Sequence, residues 1–217
     1  GHRARSIDEN QLVGYLLAMA RKSEQTKARI IAAASLLFWK RSYRAVNVAL
    51  ISDTAEVNKA TLYQYFASKE ALALAVIEDN FQRTRDYIFE GSFAVSDDPG
   101  RRIEEIYRRV FETAKAARAD GASPGCPFVN IGAEMATESP EIRKAVSKTF
   151  SRFGAYYRRI VRDAAPANGA RSKRGEDKAV RALIATMNGV MMASKIENRP
   201  EAILEGIGTA RLILEAK

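Results

Sequence analysis

Two short peptides carry the residues best suited to chemistry, and neither is laid out to break bonds. The first, T-A-E-V-N-K-A-T-L-Y-Q-Y-F over residues 54–66, joins two short helical blocks through Thr54, Ala55, Glu56 and Val57. That layout suits a helix-turn-helix, whose first helix crosses a phosphate backbone while the second enters a major groove. Ile51 and Val57 are placed to meet Leu62 inside the corner, and Ser52 and Ala55 are small enough for close helix approach. Glu56 fits the turn imperfectly, because a left-handed residue carrying a Cβ costs about 1–2 kcal/mol. An ordinary corner in an α-bundle has the same apolar spacing, so the corner alone leaves both readings open. The second peptide, C-P-F-V-N-I-G-A-E over residues 126–134, sets Asn130 and Glu134 four apart, on one face of a helix.

Enzymatic chemistry finds little support. The chain has no G-x-G-x-x-G, G-x-x-x-x-G-K-[ST], S-x-x-K or H-E-x-x-H pattern, and Gly206-Ile207-Gly208 falls in a helical block with no preceding strand. The one histidine, His2, follows Gly1 at a start without Met and reads as the remnant of a cleaved tag. The one cysteine, Cys126, has no second thiol for a disulfide or a zinc site. No enzyme, metal or cofactor is expected, and a reducing, cytoplasmic setting fits best.

Charge points toward a polyanionic partner. The 217 residues carry 35 Lys and Arg against 26 Asp and Glu, a net charge of +9. Residues 1–72 hold 11 basic and 6 acidic side chains, so the first third is the more positive per residue. Nucleic acid or an anionic lipid surface fits that surplus, and so does a merely basic protein. No apolar stretch approaches the roughly 18–20 residues that cross a bilayer, so no membrane span is expected.

Helices must position these groups. With 6 Pro and 13 Gly among long runs of Ala, Leu, Ile, Arg and Glu, the composition favours an all-α fold. Apolar spacing predicts a helix over about 25–40, with Ser23 or Thr26 available as a cap, and short blocks starting at Asn47 and Asn58. A longer block runs from Ser68 to about Phe89, and a turn-rich break follows from Gly91 to Gly100. Helices are then expected over about 103–114, 127–136, 140–160, 176–196 and 200–216, with a loop over 165–175. Ahead of them all, Arg3 and Arg5 precede an apolar run over 12–20. That layout mimics a short signal peptide, but the spacing of Leu12, Val13, Leu16 and Leu17 marks a helix face, and the two arginines could instead form an arm reaching DNA.

The stretch over residues 26–72 settles the choice for the corner. It reads T-K-A-R-I-I-A-A-A-S-L-L-F, then S-Y-R-A-V-N-V-A-L-I-S, then A-E-V-N-K-A-T-L-Y-Q-Y-F-A-S-K-E-A-L. It closely resembles the DNA-binding domain of the TetR family of bacterial transcriptional regulators. Ser42 stands where that family usually has Gly, Asn47 where it has Ser or Thr, and Glu56 where Gly is common. The resemblance implies an N-terminal three-helix DNA-binding domain at 23–72 and a helical effector-binding and dimerisation domain at 73–217, with residues 1–22 as an extension. It implies a recognition helix over 58–65 with Lys59, Ala60 and Thr61 toward base edges, Lys59 being suited to guanine O6 and N7. It places Thr61, Tyr63, Tyr65 and Lys69 on phosphates, assisted by Thr26, Arg44 and Asn47 at helix starts. Tyr63 and Tyr65 are equally suited to packing.

For the second domain the resemblance implies a small-molecule effector of unspecified identity and a homodimer on double-stranded operator DNA. The segment over 126–134 is similar to a G-C-x-x-x-N-x-x-x-E stretch of some members, so Asn130 and Glu134 are candidates to hold a polar group of the effector, or else to pack helices. Cys126 is either a thiol sensor or a small buried residue. Tyr107, Phe111, Phe153, Tyr156, Met187 and Met191 are candidate pocket walls, with ordinary core as the alternative. Val180, Leu183, Ile184, Met187 and Met191, with Ile203, Ile207, Ala210 and Leu214, offer a dimer face or a monomer core, and Gly189, Gly206 and Gly208 would allow close approach.

Overall fold

The computed structural model describes residues 9–118, 121–165 and 171–216, and all the regular structure in them is helical. The tag remnant expected at Gly1 and His2, the arm considered at Arg3 and Arg5, the side chains of 9–19 and the centre of the 165–175 loop lie outside the described residues.

The reading head starts on α1 (Glu9–Arg41), a single helix of 33 residues that replaces the expected start near residue 25. Ser23 and Thr26 are cap residues by type, yet no proline or turn cluster interrupts 15–41, and helix propensity carries through them. The next three helices begin where their caps predict. Asn47 accepts from Leu50 N (2.9 Å) at α2 (Val48–Thr54), Asn58 from Thr61 N (2.7 Å) at α3 (Lys59–Tyr65), and Ser68 from Ala71 N (3.0 Å) at α4 (Lys69–Thr84). Each cap satisfies one of the backbone donors that a helix start leaves open.

The body deviates from expectation at Gly91. The break does not start there: α4 passes through a π-helical stretch (Arg85–Glu90) into α5 (Gly91–Val95), and the chain turns only at Ser96. Gly91 serves close packing instead, since a Cβ would lie 2.5 Å from the Arg109 guanidinium, which donates to the Tyr87 carbonyl at 2.9 Å. Four helices follow with boundaries near those expected: α6 (Pro99–Ala117), α7 (Pro127–Met135), α8 (Pro140–Asp163) and α9 (Lys173–Ile196). The last, α10 (Ala202–Glu215), packs on α6 and α9. The long helix α8 touches α4, α6, α7 and α9, and its Phe153 stacks on Phe81 (5.3 Å) and Phe89 (5.0 Å) at the centre of the body.

The helix pair α9–α10 resolves the choice between dimer face and monomer core. Val180, Leu183, Met187, Ile203, Ala210 and Leu214 are buried within the chain, so this face is monomer core. Gly206 belongs to that core, where a Cβ would meet the Tyr107 ring at 2.6 Å. The opposite face is the open one. Ala185, Gly189, Met192 and Ile196 form a stripe along α9, and Leu204, Gly208 and Leu212 another along α10; Ile196 is 76% and Leu212 67% exposed. Periodicity marked the helices correctly, but both faces of α9 and α10 carry apolar residues.

Candidate nucleic-acid interface and apolar cavity

The corner between α2 and α3 closes on Ile51, Ala55 and Leu62, all buried. Glu56 takes the left-handed conformation that its turn position requires (φ 53°), and Ser42 does the same before α2 (φ 82°). Both are positions where the sequence departs from glycine. The strained turn is held from α1: Arg29 donates to the Ala55 carbonyl through Nε (3.2 Å) and Nη2 (2.8 Å), and to the Glu56 carbonyl at 2.9 Å. Nothing in the linear sequence singled out Arg29, because its partners lie 26 and 27 residues away.

With Leu62 turned inward, α3 presents Lys59, Ala60, Tyr63 and Gln64 to solvent on one face. Tyr63 is 51% exposed, which favours an outward role over packing. Gln64 was not among the expected residues, although its position one turn after Ala60 could have included it. Asn47 is exposed while it caps α2. The remaining candidates have internal partners. Tyr65 is half-buried and its hydroxyl shares a hydrogen bond with Ser23 Oγ (3.0 Å). Half-buried Thr61 gives its backbone N–H to Asn58. Lys69 lies 4.2 Å over the Tyr43 ring, and burial lowers its pKa.

Two of those expectations need correction. Thr26 is not at a helix start: it sits inside α1 and its hydroxyl donates to the Lys22 carbonyl (3.0 Å), so no unpaired helix N-terminus exists there to draw a phosphate. Arg44 faces α7. Its guanidinium pairs with Glu138 and donates to the Glu134 carbonyl at 3.3 Å.

In the body, a cavity of about 100 Å³ lies among α4, α6, α7, α8 and α9. Of the candidate residues, Cys126, Phe153, Met187 and Met191 line it, joined by Phe89, Val110, Phe128 and Tyr157. Its walls are mainly apolar, with Thr84, Thr113 and Asn188 as polar points. Cys126 is buried, and desolvation pushes its thiol pKa up, so the thiolate is disfavoured there.

Five expected pocket residues lie elsewhere. Tyr107 is fully buried against Gly206, and its hydroxyl has no hydrogen-bond partner among the described residues. Phe111 is half-buried beneath Lys115, whose ammonium stands 5.7 Å from its ring. Tyr156 stacks on Phe89 (4.9 Å) and donates to Glu90; burial and that carboxylate push its pKa up to about 12. Asn130 is a packing group: its amide donates to the Pro124 carbonyl (2.8 Å), and its oxygen accepts from Lys195 Nζ (3.0 Å). Glu134 points at the reading head, accepting from the backbone N–H groups of Tyr43 (3.2 Å) and Arg44 (3.0 Å). Four-residue spacing puts two side chains on one face, but a helix wedged between two domains has a different neighbour at each turn.

Trp39 is a wall from the other domain that the sequence did not suggest. It comes from α1 of the reading head, lines the cavity, and donates its indole N–H to the Gly125 carbonyl at 2.6 Å. Among the described residues, no three His, Cys, Asp or Glu gather as metal ligands, and no helix is long and apolar enough to cross a membrane.

A compact helix-turn-helix with one exposed recognition face, carried on an all-α body with an internal cavity, defines a DNA-binding regulator. Residues 30–76 match the family described as bacterial regulatory proteins, tetR family, and residues 99–207 match the tetracyclin repressor-like C-terminal domain. The chain belongs to the TetR family and is a transcriptional regulator rather than an enzyme. The HTH-type transcriptional repressor DhaR of Mycobacterium sp. (strain GP1) is 26% identical over 167 residues, covering 77% of this chain and 81% of DhaR. The HTH-type transcriptional activator FasR of Mycolicibacterium smegmatis is 40% identical over 124 residues, covering 48% of this chain and 56% of FasR. In fold, the chain is similar to SCO4454, a TetR-family regulator from Streptomyces coelicolor, with a TM-score of 0.74 at 22% identity, covering 93% and 94% of the two chains.

Proposed function

We propose that this regulator binds a palindromic operator as a homodimer in the bacterial cytoplasm, and that a small-molecule effector in the apolar cavity releases it, so that it acts as a repressor. Lys59 reads a base edge, Ala60 and Gln64 lie beside it, and Tyr63 and Asn47 meet phosphates. The partner covers the outer stripe of α9 and α10. A Cβ at Gly189 or Gly208 would find open space within 4 Å, which leaves room for another helix to approach closely. Two-fold symmetry would then set the two recognition helices about one turn of DNA apart, or a multiple of it.

The observation that carries this reading is the double attachment of α7. Its first turn, with Pro127 and Phe128, lines the cavity, while Glu134 near its other end holds the backbone of Tyr43 and Arg44 in the loop leading to α2. A nine-residue helix is stiff, so displacement at the cavity end shifts the loop at the head end. An effector then favours a head spacing that no longer fits the operator, through differential affinity for two conformations. Selection of bound sequences from random duplexes, repeated with a panel of small apolar compounds, tests the reading. Recovery of a palindrome that one compound abolishes is the expected result; recovery of unrelated sequences at every concentration would overturn it.

A further inference from the structure

The inner cavity is too small to be a whole site for most ligands. At about 100 Å³ it falls below the roughly 300–1,000 Å³ of ordinary small-molecule pockets, and below the roughly 150 Å³ apolar cavity that takes up benzene. A second compartment of about 290 Å³ lies outside it, between α1, the α4 rod and α6. Trp39, Thr84, Ile88 and Thr113 belong to both linings, so a single layer of side chains stands between the two.

The compartments differ in chemistry. The inner one is walled by aromatic, aliphatic and thioether groups. The outer one brings Ser35, Asn80 and Arg83 together: Ser35 Oγ donates to Asn80 Oδ1 (2.8 Å), and Arg83 Nη2 donates to the same oxygen (3.1 Å) and to Ser35 Oγ (3.3 Å). Arg83 also pairs with Asp79 through Nη2 (2.5 Å), which leaves Nε and Nη1 as charged donors beside the Asn80 amide.

Building on the effector reading above, we propose that the two compartments form one site for a slender amphiphile with an acidic end, a medium-chain carboxylic acid. Its tail fills the inner cavity past Trp39, and its carboxylate meets Arg83 and Asn80. Nη1 of Arg83 and the Asn80 amide can each donate one hydrogen bond to the carboxylate, the first of them charge-assisted, and Asp79 offsets enough charge to favour a monoanion over a polyanion. An amine of the same length would meet the Arg83 charge. Because Ser35, Leu36 and Trp39 belong to α1, the occupant touches the reading head as well as the body.

Trp39 is the only tryptophan, so its fluorescence reports the junction directly. The full chain is titrated with octanoate, octanol and octylamine. A saturable change with octanoate is expected, at least tenfold tighter than octylamine, and Arg83→Gln should weaken octanoate about tenfold while leaving octanol unchanged. Equal affinity for all three, or octanoate binding indifferent to Arg83→Gln, would overturn the proposal. If Arg83→Gln does not fold, Asn80→Asp places a carboxylate at the same rim and must weaken octanoate more than octanol; equal effects overturn the proposal. Release of a selected duplex is read in parallel. Octanoate that binds with this selectivity without releasing DNA sinks the effector reading and upholds the site. Release by another compound while octanoate fails to bind sinks the site alone.

Discussion

In the reading head, Lys59, Ala60, Tyr63 and Gln64 share one seven-residue helix that is fixed by the Asn58 cap, the buried Leu62 and the turn beneath it. In the body, the cavity walls run from Trp39 on α1 to Met191 on α9, and no two consecutive helices make the site. The first arrangement is local, so an outward side chain can be changed with little disturbance to the fold. The second is collective, so a substitution at one wall moves its neighbours in a close-packed interior. Glu134 and Trp39 connect the two regions, and both do so through backbone groups of the other domain.

Six substitutions probe that contrast, beginning with the largest effect. Leu212→Glu on the open face of α10 should yield monomers in sedimentation and reduce affinity for a selected operator by about a hundredfold or more, since the two heads lose their linkage. A dimer that survives this change would move the interface elsewhere. Lys59→Ala should weaken operator binding by about 1–3 kcal/mol and relax preference at one base pair, whereas Tyr63→Phe should weaken selected and random duplexes alike. Equal losses on both duplexes for Lys59→Ala would remove it as a base reader.

Smaller effects sharpen the link between the regions. Glu134→Ala should leave binding of a cavity ligand intact while cutting its effect on DNA affinity by about 1–3 kcal/mol of coupling, measured as operator affinity with and without ligand. Coupling that persists unchanged would place the transmission on α1 and Trp39 instead. Glu56→Gly and Ser42→Gly should each raise thermal stability by a few degrees, about 1 kcal/mol or less, by relieving left-handed φ angles at residues with a Cβ. Unchanged or lower melting temperatures would show that unfolded-chain entropy cancels the relief.

The contrast also sorts what could be read along the chain. Caps at Asn47, Asn58, Ser68, Asp98, Ser139 and Ser172 start helices by bonding a backbone N–H three residues on, a relation contained within one turn. The strain at Glu56 was visible for the same reason, since φ preference belongs to single residues, whereas Ser42 stood out only through the glycine usual in the family. Thr26 misled because a hydroxyl suited to capping is also tolerated inside a helix, where it bonds the carbonyl four residues back. For Asn130 and Glu134 the choice between effector contact and helix packing stayed open, because spacing fixes a shared face and says nothing about which domain that face meets.

The amino-acid order by itself determined the all-α fold, the capped starts of α2, α3 and α4, the strain at the Glu56 turn and the exposed recognition face, because each follows from contacts within a few residues. Only the tertiary structure decided that Arg29 holds the turn, that Trp39 walls the cavity, that Glu134 grips the reading head, and which face of α9 and α10 stays open. Those outcomes depend on how amphipathic helices of similar composition choose among each other's faces, a choice made by packing the whole core at once.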